Sequence, residues 1–207
     1  MIDGESGGAT REAERAGPST AVPLRLSITI PPGKVCFDKM RWAIEHVRLH
    51  LGVPTSFHPH ITLQMTERPA NLDDLRRRLR EICCQEAPVE VTISELGLLS
   101  DRSDPSRIFL TYNVLKSPEL LRLYHRVTAA LTEAGALPSL PDPETWVPHL
   151  TVAHGPFDQG TLMELQRELA HLGLPCTFVV EDLLLNRQLP NGEWQSLDRF
   201  RLTGCSS

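Results

Sequence analysis

The chain has 207 residues, 41% hydrophobic and 23% charged, with a net charge of -5. That length suffices to bury a sizeable core, and the composition is that of an ordinary globular protein. The negative balance argues against a binder that coats many nucleic-acid phosphates, while leaving room for a local basic cleft that holds one phosphate or a strand end. No stretch has the length and apolarity of a transmembrane helix. Five Cys without metal-ligand spacing predict reduced thiols in a cytoplasmic protein rather than a disulfide framework. Residues 1–21 are polar, rich in Gly and Ser, and lack an apolar run, so they read as a disordered leader.

From Val22 onward the chain reads as one domain of alternating strands and helices. Leu24 to Ile30 alternates as a strand and is stopped by Pro31-Pro32-Gly33. Phe37 to Leu51 is helical, with Phe37, Met40, Ile44, Val47 and Leu51 apolar and Gly52 closing it. A strand follows through His60 to Met65. Asn71 caps a helix whose face is Leu72, Leu75, Leu79 and Ile82. Val89 to Leu99 is a strand, 101–106 a polar loop and the expected boundary between halves, and Arg107 to Val114 another strand. Ser117 with Pro118 opens a helix ending near Gly135. After a Pro-rich loop, a strand at His149 ends near Gly155, and Thr161 to Leu172 is helical. Cys176 to Gln188 is a strand or strand pair, and Asn191-Gly192 turns into a last strand from Trp194 to Leu202. Trp42, Trp146, Trp194 and Tyr112 read as packing residues.

One pentapeptide is written twice: Pro59-His60-Ile61-Thr62-Leu63 and Pro148-His149-Leu150-Thr151-Val152. In an extended strand His60 and Thr62 share one face, and so do His149 and Thr151. A lone His-x-Thr is weak; the bland reading of either copy is a strand after Pro with an incidental His. Two copies at the second strand of each half are far more specific. The fold class is α+β, bilobal, with two pseudo-symmetric lobes of mostly antiparallel sheet backed by helices. A cleft between them brings the His/Thr edges together. Two imidazoles suit acid–base chemistry, because an unperturbed pKa near ~6.5 lets one accept and the other donate a proton. The two Thr hydroxyls can hold the oxygens of a phosphate.

The paired motifs resemble the 2H phosphoesterase superfamily, and within it the bacterial 2′-5′ RNA ligase and RNA 2′,3′-cyclic phosphodiesterase group. The resemblance implies a phosphate in a central cleft, no metal or other cofactor, His60 and His149 as the catalytic pair, and Thr62 and Thr151 as phosphate ligands. It implies opening of a 2′,3′-cyclic phosphate to a 2′-phosphate, with the second His as base and the first as acid. The partner is then an RNA 3′ end or small cyclic nucleotide, with neither DNA nor membrane involved, and the protein a monomer. The continuation Gln64-Met65-Thr66 departs from the aromatic and Gly common in that group. Arg107, Arg187, Phe57 and His58 are further candidates for substrate contact. Arg76, Arg77, Arg78 and Arg80 read as a solvated helix face, and His154 as a solvated residue at a strand end. Two alternatives are a non-catalytic module that binds RNA ends or nucleotides, and a metal-dependent phosphoesterase using His58 and His60 with His149 or His154.

Overall fold

The computed structural model describes residues 25–52, 58–66, 71–101, 104–173 and 175–205. The expected leader and Phe57 lie outside the described residues. In chain order the elements are β1 (Leu26–Ile30), α1 (Lys34–Leu51), β2 (Ile61–Thr66), α2 (Leu72–Gln85), β3 (Val89–Ser100), β4 (Ile108–Val114), α3 (Pro118–Glu133), β5 (His149–Gly155), α4 (Gln159–Ala170), β6 (Cys176–Val180), β7 (Asp182–Gln188) and β8 (Trp194–Arg201). The α+β class stands. The stretch from Cys176 to Gln188 divides at Glu181 into two strands.

Local chemistry explains the helices. Asn71 accepts from the backbone N–H groups of Asp73 and Asp74, Ser117 accepts from Leu120 with Pro118 in the first turn, and Asp158 accepts from Thr161. Gly52 ends α1 at φ 62°, a left-handed conformation that costs glycine little. Leu75, Leu79, Ile82 and Cys83 bury one face of α2, and Leu120, Leu123, Tyr124, Val127 and Leu131 one face of α3.

The strands form a single eight-stranded sheet in the order β6-β3-β4-β5-β2-β1-β7-β8, antiparallel at every pairing. The third strand of the first sequence half and the fourth of the second cross over. β3 pairs with β4, and β7 pairs with β1. Each four-stranded half of the sheet therefore mixes both halves of the chain, and the loop at 101–106 joins two neighbouring strands. The halves meet at one pair, Ile61 opposite Leu150, between the two pentad strands. One face of the sheet carries Leu26, Ile28, Ile30, Ile61, Leu63, Leu110, Tyr112, Leu150 and Val152, all buried in one core with the helices.

The thiol expectation is corrected at two positions. Cys36 on α1 and Cys176 on β6 form a disulfide, while Cys83, Cys84 and Cys205 are free. The bonded pair is 140 residues apart in sequence. Only the packing of α1 across the sheet onto β6 brings their Cα atoms to 6.2 Å, within bonding range. Two tryptophans also differ from expectation. Trp146 is buried and stacks on Tyr124, but Trp42 is 56% exposed and Trp194 42% exposed. Tyr112 lies in the core as expected.

Candidate active site

The two pentads have the same local structure. Pro59 and Pro148 are buried, each behind an exposed residue, His58 and Val147. A proline disfavours helical backbone in the residue before it. Both copies then make one particular contact. Nδ1 of His60 lies 2.7 Å from the carbonyl oxygen of His58, and Nδ1 of His149 lies 2.8 Å from that of Val147. A carbonyl can only accept, so each Nδ1 carries the proton and donates. Each Nε2 is then the titrating nitrogen, a proton acceptor when the ring is neutral and a donor when it is charged.

The strands that follow share a defect. Ile28 pairs with Gln64 and Thr29 with Thr62, leaving Leu63 as an extra residue. Leu110 pairs with Ala153 and Thr111 with Thr151, leaving Val152 extra. Each pentad therefore ends on a β-bulge at its fifth residue. Burial over Ile61–Thr66 and over the matching residues 150–155 runs identically: buried, half-buried, buried, buried, half-buried, buried. The bulge shifts the alternation by one. The polar face thus carries His60, Thr62 and Met65 in one strand, and His149, Thr151 and His154 in the other.

A second repeat flanks the first. β1 and the residue before it read Arg25-Leu26-Ser27-Ile28-Thr29-Ile30; β4 likewise reads Arg107-Ile108-Phe109-Leu110-Thr111-Tyr112. Thr29 sits opposite Thr62, and Thr111 opposite Thr151. Both inner threonines are buried. Thr29 accepts from Asn186 Nδ2 at 3.0 Å, and Thr111 donates to the Gly97 carbonyl at 3.2 Å. Asn113 lies directly opposite His149 and its amide packs over Gly97, where a Cβ would come within 2.5 Å of the Asn113 Oδ1. The Arg-x-x-x-Thr repeat, Asn113 and Asn186 escape motif reading. The shared Arg and Thr spacing was the available signal, and it becomes specific only once the register shows that both copies flank a pentad.

Burial dominates the electrostatics of both histidines. Burial is the largest influence on His60 and holds it below the usual imidazole value; the bond to the His58 carbonyl opposes this, and nearby His149 and His58 lower it further. His149 is likewise lowered by burial, against the bond to Val147. His154 is lowered by burial first and by the Arg107 guanidinium second, with Asp101 acting the other way.

The remaining candidates divide. Arg107 lies close to His154 on the side of β4 that carries Phe109. Arg187 pairs in register with the core residue Leu26, on the face opposite Asn186, and its Nε donates to Gln195 at 2.8 Å. His58 serves His60 through its backbone carbonyl. His154, expected as a solvated strand end, is half-buried on the polar face, its ring stacked on Phe109 with centroids 5.5 Å apart. The α2 arginines are solvated in part: Arg77 and Arg80 are exposed, the first paired with Asp74 and Glu81 and the second over the Phe200 ring, whereas Arg76, with Asp73 and Asp198, and Arg78, with Asp74 and Glu133, are half-buried. Among the described residues, no three His, Cys, Asp or Glu side chains converge as metal ligands, and no helix is long and apolar enough to cross a membrane.

No curated protein matches the sequence significantly. Solved structures do match the fold. TT0787 of Thermus thermophilus is 21% identical, covers 86% of this chain and 97% of its own, and superposes with a TM-score of 0.59. LigT of E. coli, crystallised with 3′-AMP, is 16% identical over 88% of this chain and 99% of its own, with a TM-score of 0.57. LigT without ligand gives 15%, 88%, 99% and 0.55. The profile of the 2′-5′ RNA ligase superfamily matches residues 38–191, which span both pentads. By that match the chain belongs to the 2′-5′ RNA ligase superfamily, the 2H phosphoesterases that its paired His-x-Thr strands resemble.

Proposed function

We propose that the protein is a metal-independent phosphodiesterase that opens 2′,3′-cyclic phosphates at RNA ends or on short nucleotides to 2′-phosphates. The observation that carries this reading is the matched Nδ1–carbonyl bond, which leaves two Nε2 atoms as the proton-transferring groups of adjacent strands. One neutral imidazole takes a proton from water as the water oxygen bonds to phosphorus. The bond from phosphorus to the leaving ribose oxygen breaks, and the other imidazole, charged, gives that oxygen its proton. Thr62 and Thr151 donate to the non-bridging oxygens as charge grows on them. His149 acts as base and His60 as acid in the ring-opening direction. With a ribose 5′-hydroxyl in place of water as the attacking group, the same ring opening forms a 2′-5′ linkage, which is ligation. The 3′-AMP complex of LigT agrees with a nucleotide ligand.

The test is turnover of a nucleoside 2′,3′-cyclic phosphate in the presence of a chelator, with the product identified as the 2′-phosphate. Activity lost in chelator and restored by zinc or manganese would overturn the metal-free mechanism. Binding of the 2′-phosphate without turnover of the cyclic ester would make the protein a nucleotide-binding module instead.

A further inference from the structure

The polar face is symmetric around the two His/Thr pairs and loses that symmetry at one cross-strand position on each side. In one half Ser27 sits opposite Met65. At the equivalent place in the other half Phe109 sits opposite His154, the two rings stacked 28° from parallel. Arg25 and Arg107 occupy equivalent positions two residues further out, so cationic charge does not distinguish the halves. The aromatic pair does. Phe109 is two residues along β4 from Thr111, about 7 Å, and Thr111 is itself opposite the phosphate-holding Thr151. A ribose bridges that spacing between a phosphate and its base. Both rings are partly exposed.

We propose that Phe109 and His154 form the platform on which the base of the substrate nucleoside stacks, so that the nucleoside lies over β4 and β5 and the half carrying Ser27 and Met65 takes the part of the ligand without a stacked base. The assignment deepens the two-histidine reading and rests on it for the place of the phosphate. Base–aromatic stacking tolerates any base, because every base has a π face. The site therefore selects for a nucleoside over a base-free ester rather than for one base over another.

The experiment compares adenosine 2′,3′-cyclic phosphate with glycerol 1,2-cyclic phosphate, which lacks a base, on the full chain. Each variant is scored by the ratio of kcat/KM for the two esters, which does not depend on the fraction of folded protein. Phe109→Ala and His154→Ala should lower that ratio about tenfold or more, chiefly through KM. His154→Phe should restore it, and Ser27→Ala and Met65→Ala should leave it unchanged. An equal loss on both esters in the Phe109 and His154 variants overturns the platform, as does a ratio near one in the unaltered protein or a base-dependent loss in the Ser27 or Met65 variants. If neither ester is turned over, the hydrolytic reading fails, and titration with adenosine 2′-monophosphate and glycerol 2-phosphate decides the platform separately. Tighter binding of the adenosine ligand that needs Phe109 supports it, and equal or absent binding of the two overturns it.

Discussion

The half of the polar face built on β1 and β2 and the half built on β4 and β5 agree closely near the centre and part company at the edge. Both have Pro, His, a Thr two residues on, a bulge after it and a buried Thr alongside. Both tie Nδ1 to the carbonyl two residues back. A tetrahedral phosphate at the centre, as proposed, would meet nearly the same groups from either side. Away from the centre, Ser27 and Met65 face Phe109 and His154 across the approximate two-fold, and Gln64 faces Ala153. The repeated groups are those the proposed chemistry needs in pairs. The unmatched ones give the site a direction.

That comparison breaks first at the histidines. His60→Ala and His149→Ala should each lower kcat/KM for a cyclic nucleotide by about 10²–10⁴-fold, since each removes one proton transfer. The double variant should be little worse than either single one, because the pair acts as a unit. Near-full activity in one single variant would show that only one half is catalytic. Next come the hydroxyls. Thr62→Val and Thr151→Val keep the β-branched shape and delete a donor, and each should cost about 10²-fold in kcat. A large difference between them would show which half meets the growing charge.

The two bulges can be separated by stability. In the first half Gln64 is fully buried: its Oε1 accepts from the Met65 and Leu140 backbone N–H groups, and its Nε2 reaches the hydroxyls of Tyr124 and Thr128. The second half has only Ala153 there. Gln64→Leu leaves buried groups unpaired and should cost about 2–3 kcal/mol in denaturant unfolding. A change under about 0.5 kcal/mol would mean that the first bulge, like the second, needs no polar latch.

The smallest effect is in pH. The pKa values of His60 and His149 both lie below the ordinary imidazole value, burial being the main cause. Both limbs of the kcat/KM profile of the free enzyme should therefore fall below about pH 6.5, with the rate already declining below that pH as the acid loses its proton. An optimum above pH 7 would contradict the assignment. The same depression means that the unfolded chain binds more protons than the folded one just below about pH 6.5, so stability present above that pH is lost as pH falls through the folded values.

Much of the site was legible in the residues. The pentads mark themselves by repetition, and alternation alone puts His and Thr on one face of each strand. The caps at Asn71 and Ser117 were also local and came out as read. The remainder depended on contacts between distant segments. Arg107 and Arg187 look alike in sequence, each in or beside a strand. They separate because Arg107 belongs with Phe109 and His154, while Arg187 is paired with Leu26. His154 looked like a solvated strand end because alternation without a bulge does not put it on the polar face.

Element types, helix caps, the duplicated His-x-Thr strands and the kind of chemistry they support follow from the sequence by itself, because each is set by side chains a few residues apart. Strand partners do not follow from it, because a strand pattern specifies a face and leaves the neighbour open. Tertiary structure alone therefore decided the exchange of β3 and β7 between the halves, the disulfide between Cys36 and Cys176, the bulges at Leu63 and Val152, and the meeting of Phe109 with His154.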